Sequence, residues 1–202
     1  ARIKQTGWFE DISMTTNGSL LAPRAAKLKE LGLNRVNISL DSLDSDAFAL
    51  CVGKANQLDS VLSGIQSAID AGFTSVKINT VLSRHWTDDE VRALLTYVET
   101  WPVIWRFIEY MPFQGDAFHG PTFDEWKAQL ERVSGGILTE NHDVYGFGPA
   151  TYYNLPSGKE IGFIFSMSHS YCDTCNRVRL TSDGQMRLCL LRDDEADLVS
   201  LV

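Results

Sequence analysis

Three thiols and two guanidinium groups fall close together near the end of the chain: Cys172, Cys175, Arg177, Arg179 and Cys189. A Cys-x2-Cys pair followed by a third thiol suits metal ligation better than disulfides in a chain with no secretory signal. Asp183-Gly184 stands between Val178-Arg179-Leu180 and Met186-Arg187-Leu188, which predicts a tight hairpin. Folding the second strand back on the first is expected to return Cys189 to the Cys172-x2-Cys175 loop, so that three thiolates converge on a metal. Spacing alone leaves that metal open. Zinc would want a fourth ligand, with His169 the better candidate. Cys51, in Ala49-Leu50-Cys51-Val52, is expected to be a buried core thiol. A 4Fe–4S cluster would instead keep one iron without a protein ligand, open to a small molecule. Arg177 and Arg179, two apart on a strand, share a face, and two guanidinium forks there suit phosphate oxygens. The bland alternative is a pair of solvated arginines.

Two further cations, Lys77 and Arg106, occupy strand positions. Buried there, each needs an anion partner, either a ligand phosphate or a carboxylate such as Asp41 or Glu109. The strands that would carry these groups follow one design. Residues 11–17, 35–41 and 76–82 alternate apolar side chains with Ser13/Thr15/Asn17, Asn37/Ser39/Asp41 and Lys77/Asn79, and residues 104–111 form a fourth strand closed by Pro112. Helical segments join them. One follows Pro23 with Ala26, Leu28 and Leu31 apolar, a longer zone ends at Ala71-Gly72, and Thr87-x2-Glu90 is a capping box opening a third. Strand–helix alternation predicts a parallel, right-handed α/β sheet. The polar parity predicts an incomplete TIM-type β/α barrel whose inner wall faces a polar ligand. A doubly wound open sheet is the alternative, although no glycine-rich dinucleotide turn is present.

Beyond residue 112 the period changes. Residues 113–121 are expected to be loop, Thr122-x2-Glu125 caps another helix, and residues 150–154 and 161–167 are strands joined at Pro156-Ser157-Gly158. The expected division is therefore a barrel part over 1–115 and an α+β region over 116–202 whose hairpin carries the metal. The 202 residues are 44% hydrophobic, enough for a substantial core. A formal net charge of −8 argues against a nucleic-acid-coating role. No apolar run approaches a membrane span, so the expected setting is cytoplasmic.

Residues 172–191, Cys-Asp-Thr-Cys-Asn-Arg-Val-Arg-Leu-Thr-Ser-Asp-Gly-Gln-Met-Arg-Leu-Cys-Leu-Leu, closely resemble the C-terminal cluster motif of the GTP 3′,8-cyclase family. Its members are radical S-adenosylmethionine enzymes of the first step of molybdenum cofactor biosynthesis. The resemblance continues through Thr15-Thr-Asn-Gly18, residues 35–43, 76–82 and 106–112, and Gly148-Pro-Ala-Thr-Tyr-Tyr153. It implies that Cys172, Cys175 and Cys189 hold an auxiliary 4Fe–4S cluster whose open iron faces the purine. It also implies that Thr15, Lys77, Arg106, Arg177, Val178 and Arg179 bind GTP, and that Ser39 and Met111 contact S-adenosylmethionine. The family's barrel has six units, of which the four here would be the last. The downstream partner by pathway would be cyclic pyranopterin monophosphate synthase, a homodimer is compatible, and neither nucleic acid nor membrane is implied.

The sequence departs from the family at its start, with no Cys-x3-Cys-x2-Cys and no Gly-Gly-Glu-Pro-type segment. The chain opens at Ala1 without Met and closes on an apolar pattern over 198–202. It is expected to be a fragment, with the second 4Fe–4S cluster found only in the full-length protein and no activity in the chain alone. A non-catalytic zinc or purine-nucleotide module is the alternative from another class, and a radical enzyme acting on another substrate is a third.

Overall fold

Each of the four expected strand segments becomes a strand in the computed structural model of the chain: β1 (Ser13–Thr16), β2 (Arg35–Ser39), β3 (Ser75–Leu82) and β4 (Ile104–Glu109). The structure describes residues 2–112, 120–143, 148–189 and 195–197. The chain divides into two compact units, residues 1–170 and 171–202. The loop expected at 113–121 falls mostly outside the described residues, as do residues 190–194 and 198–202.

In the first unit β1, β2, β3 and β4 pair in that order, all parallel. The helices are α1 (Arg2–Gln5), α2 (Ala25–Glu30), α3 (Ser45–Val52), α4 (Leu58–Asp70), α5 (Asp88–Thr100) and α6 (Phe123–Ser134). Val36, Ile38, Ile78, Trp105 and Phe107 from the strands join Ile65 and Ala68 of α4, Val91 and Leu94 of α5, and Trp126 and Leu130 of α6 in one buried core. Each such large side chain stabilises the fold by about 1.5–3 kcal/mol relative to exposure. Both capping boxes form: Thr87 accepts from the Glu90 amide and Thr122 from the Glu125 amide, with the glutamates closing back. Each cap is worth about 1 kcal/mol.

Three features differ from the sequence expectation. The long helical zone is two helices, because Gly53 and Asn56 adopt left-handed backbone between α3 and α4. The buried stripe entering α2 is Leu21 and Ala25, with Leu28 packed against the core as expected but Ala26 and Leu31 exposed. Residues beyond β4 also extend the same sheet. β5 (Thr139–Asn141), β6 (Thr151–Asn154) and β7 (Glu160–Ile164) follow, and β7 lies parallel to β4 while β6 and β5 continue antiparallel. The result is a mixed seven-stranded sheet, β1-β2-β3-β4-β7-β6-β5, in an α/β unit. Gly158 closes the β6–β7 turn by donating its N–H to the Leu155 carbonyl (2.8 Å).

The second unit holds a 3-10 turn at Cys172–Thr174 and the strands β8 (Arg179–Leu180), β9 (Gln185–Arg187) and β10 (Glu195–Asp197), in the order β10-β9-β8. The Asp183-Gly184 hairpin forms as expected, with Gly184 at φ 87°, a conformation glycine adopts without steric cost. Among the described residues no helix is long and apolar enough to cross a membrane.

Candidate functional site

Strand register aligns the polar parity into rows across the first unit. Thr15 pairs with Asn37, and Asn37 with Lys77. Two residues toward the carboxyl ends, Ser39, Asn79, Arg106 and Gly162 form the next row, which Tyr152 extends by pairing with Gly162. Side chains of one parity share one face of a sheet, and hydrogen bonds tie these together. Asn37 Nδ2 donates to Thr15 Oγ1 (3.3 Å). Arg106 donates from Nε to Asn79 Oδ1 (2.9 Å) and from Nη2 to Asn37 Oδ1 (3.0 Å). Lys77 Nζ donates to the Tyr152 hydroxyl (3.1 Å) and lies 5.5 Å from the centre of that ring.

Two cations are thus buried side by side: Lys77 is 2% exposed and Arg106 7%. Burial, then the charges of Arg106 and Arg35, lower the Lys77 ammonium to about 8. Burial also pushes Arg106 below its usual value. The sequence offered Asp41 and Glu109 as neutralising partners, and both turn to backbone amides instead. Asp41 Oδ1 accepts from the Val81 N–H (2.8 Å). The buried Glu109 carboxylate accepts from Met167 (2.6 Å) and Ser168 (3.0 Å). Among the described residues no carboxylate forms an ion pair with Arg106; its side-chain acceptors include the amide oxygens of Asn37 and Asn79. A buried cation held by neutral acceptors keeps its charge for an incoming anion.

Sequence reasoning missed Tyr152 and Gly162, and the structure shows why they matter. A Cβ at Gly162 would stand 2.9 Å from Arg106 Cγ, closer than real contacts allow, and 3.0 Å from Tyr152 Cε1, tighter than most. Only glycine there lets both side chains lie across β7. Asn37 and Asn79 were recognised as part of the polar parity, but their grip on Arg106 was not. Ser39 lies half-buried in the Arg106 row, Thr15 is exposed on the edge strand, and Met111 stands exposed two residues past β4.

In the second unit, Cys172 and Cys175 bracket the 3-10 turn, whose last N–H, that of Cys175, donates to the Cys172 carbonyl (3.2 Å). The guanidinium of Arg177 stacks 5.1 Å from the centre of the Tyr171 ring, and its Nε donates to Cys175 Sγ (3.4 Å). Donation from the Arg177 backbone, then its side chain, lowers the Cys175 thiol below its ordinary value, toward the thiolate that binds metals. Arg177 and Arg179 share the less exposed parity, with Val178 exposed between them. The expected convergence of the thiols does not appear. Among the described residues no three His, Cys, Asp or Glu side chains are grouped to hold a metal ion. The hairpin ladder ends at Arg179↔Arg187, so no backbone pairing carries Cys189 back to the turn. Cys51, expected in the core, is exposed at the end of α3, where Phe48 is the buried residue. His169, the zinc candidate, stacks on Phe123 with ring centres 5.0 Å apart.

Comparison with known proteins fits this α/β sheet. Residues 2–98 match the Radical SAM superfamily and residues 103–202 match Molybdenum Cofactor Synthesis C. The fold is similar to that of Streptococcus suis SuiB, solved bound to S-adenosylmethionine, with a TM-score of 0.61 and 12% identity over 93% of this chain and 45% of that one. Residues 2–98, which carry β1, β2 and β3 of the sheet, are thus similar to the Radical SAM superfamily. The chain is 42% identical over 194 residues to a GTP 3′,8-cyclase of Moorella thermoacetica, covering 94% of this chain and 59% of the relative. It is 44% identical to one from Trichodesmium erythraeum (91% and 57%) and 39% identical to GTP 3′,8-cyclase 2 of Pseudomonas aeruginosa (100% and 62%). The chain is thus similar to curated GTP 3′,8-cyclases, and it spans about three-fifths of the length of these relatives.

Proposed function

We propose that the chain is part of a radical SAM cyclase that converts GTP to (8S)-3′,8-cyclo-7,8-dihydroguanosine 5′-triphosphate in molybdenum cofactor biosynthesis. The observation that carries this reading, beside the similarity to curated GTP 3′,8-cyclases, is the pair of buried cations Lys77 and Arg106 on one sheet face. A triphosphate supplies anionic oxygens that two such cations bind well.

Residues 1–115 are proposed as the radical SAM part, a partial β/α barrel, and residues 116–202 as the auxiliary-cluster and GTP-binding region, whose β7, β6 and β5 continue the same sheet. On the first unit, Thr15, Lys77 and Arg106 bind GTP while Ser39 and Met111 contact S-adenosylmethionine. Within the second unit, Arg177, Val178 and Arg179 bind GTP beside a cluster held by Cys172, Cys175 and Cys189. The donor chemistry fits an iron–sulfur cluster: two thiols bracket one turn, and Arg177 biases Cys175 toward thiolate. Ligation by all three requires residues 188–189 to close on the turn. When bound, a 4Fe–4S cluster with three protein ligands supplies one iron with an open coordination position. The residues of this chain bind and orient the nucleotide. Arg106 fixes the phosphates through a guanidinium already locked by Asn37 and Asn79, and Lys77 adds a second charge.

Calorimetric titration of the anaerobically purified chain with GTP tests the reading. Arg106→Ala should weaken binding roughly thirty-fold or more, since it removes a buried, hydrogen-bonded charge from an ionic contact. Unchanged affinity would overturn it.

A further inference from the structure

Tyr152 is the group on the first unit whose chemistry the family's nucleotide contacts leave unused. It comes from β6, the strand beyond β7, and crosses over Gly162 to reach the Lys77 side chain on β3. It meets that ammonium twice, by its hydroxyl at 3.1 Å and by its ring at 5.5 Å. Both contacts are attractive to a cation, and neither carries a formal charge. A carboxylate at the same place would hold Lys77 equally well but would cancel the charge that a phosphate needs. A phenol orients the ammonium and leaves its charge for the ligand. The missing Cβ of Gly162 is what gives Tyr152 room to do this.

We infer that Tyr152 is a positioning residue of the nucleotide site: it holds the Lys77 ammonium protonated and aimed along the sheet face for a phosphate-bearing ligand. The inference rests on the nucleotide reading above. The charged groups acting on Lys77 come from four directions. Arg106 on β4 and Arg35 on β2 disfavour its proton, while Glu160 on β7 and Asp11 before β1 favour it. With an ammonium lowered to about 8, the cation is poised where loss of one acceptor is readable. Affinity for a phosphate ligand should be highest when Lys77 is protonated and should fall as pH rises through about 8.

The test is GTP affinity of the full chain by calorimetry from pH 6.5 to 9, for the unsubstituted protein and for Tyr152→Phe, Lys77→Arg and Lys77→Ala. Tyr152→Phe keeps the ring and removes the acceptor, so the fall in affinity should begin about one pH unit lower. Binding would then be about five-fold weaker at pH 8 and within about two-fold of the unsubstituted protein at pH 6.5. In Lys77→Arg, whose guanidinium stays charged, this fall should vanish. An unshifted profile in Tyr152→Phe, with Lys77→Ala still weakening GTP, overturns the role of Tyr152 alone. GTP affinity untouched by Lys77→Ala overturns the nucleotide reading itself. Should Tyr152→Phe fail to fold, as judged by circular dichroism, NMR of the unsubstituted chain decides. Lys77 Hε to Tyr152 ring cross-relaxation that persists in the GTP complex supports the role, and its loss on GTP addition overturns it.

Discussion

Arg106 on β4 reaches over the intervening strand β3 to place its Nη2 3.0 Å from the side-chain oxygen of Asn37 on β2. Its Nε is held on the way by Asn79, at 2.9 Å. Neutral groups thus hold the guanidinium: these two amides and the Tyr152 side chain. Asn37→Asp would keep the shape and add a carboxylate beside a buried cation. We expect GTP to bind about ten-fold more weakly in Asn37→Asp, because the new ion pair competes with the phosphate, while the melting temperature does not fall. Calorimetry and a thermal scan measure the two effects, and unchanged affinity would show that Arg106 does not meet the phosphates.

Gly162→Ala tests the notch between Arg106 and Tyr152. The added methyl meets carbon atoms at 2.9 and 3.0 Å, so the sheet or both side chains must shift. Overpacking of this kind costs about 1–3 kcal/mol. Urea denaturation should show that loss together with weaker GTP binding. A variant as stable as the parent would mean that the two side chains can lie elsewhere.

Asp41 gives a prediction about pH. Burial is the largest influence on its carboxyl and raises it, against the opposing donation from the Val81 amide. The folded chain thus holds this proton more tightly than the unfolded chain does. Its contribution favours folding below the ordinary carboxylate value and is lost as pH rises through the raised one. Asp41→Asn keeps an oxygen for the Val81 N–H and cannot ionise. Denaturant titrations should find it at least as stable as the parent at pH 7 and equal to it near pH 3. A variant less stable at pH 7 would contradict the assignment.

Most of the first unit's architecture was legible because its information is local. Alternation marked β1–β3, an apolar run closed by Pro112 marked β4, the two threonine–glutamate boxes marked α5 and α6, and the polar parity picked out Thr15, Asn37, Ser39, Lys77 and Asn79 before any register was known. What stayed hidden depends on pairings between distant segments. That β7 lies against β4 brings Gly162 beside Arg106 and Tyr152 over Lys77, and nothing in the local pattern of residues 150–164 announces it. The hairpin at Asp183-Gly184 was legible for the same local reason as the caps. The closure of Cys189 on Cys172 and Cys175 was not delivered by that hairpin, since its ladder stops at Arg179↔Arg187. Cys51 misled because its apolar neighbours Leu50 and Val52 are themselves exposed.

The cluster assignment makes its own prediction. Anaerobic reconstitution with iron and sulfide should load about four irons per chain and give absorption near 400 nm, as expected of a cysteine-held 4Fe–4S centre (~4 Fe). Replacing Cys172, Cys175 or Cys189 with Ala should abolish that loading, whereas Cys51→Ala should not. One zinc per chain after purification from iron-replete cells would contradict the cluster.

The central claim is that the Lys77 and Arg106 face receives the phosphates of a guanine nucleotide. Its most direct measurement compares GTP, guanosine and inorganic triphosphate as calorimetric ligands of the unsubstituted chain and of Lys77→Ala. The account predicts that GTP binds far more tightly than guanosine, that triphosphate competes with it, and that Lys77→Ala removes most of that advantage. Equal binding of GTP and guanosine, unaffected by Lys77→Ala, would contradict it.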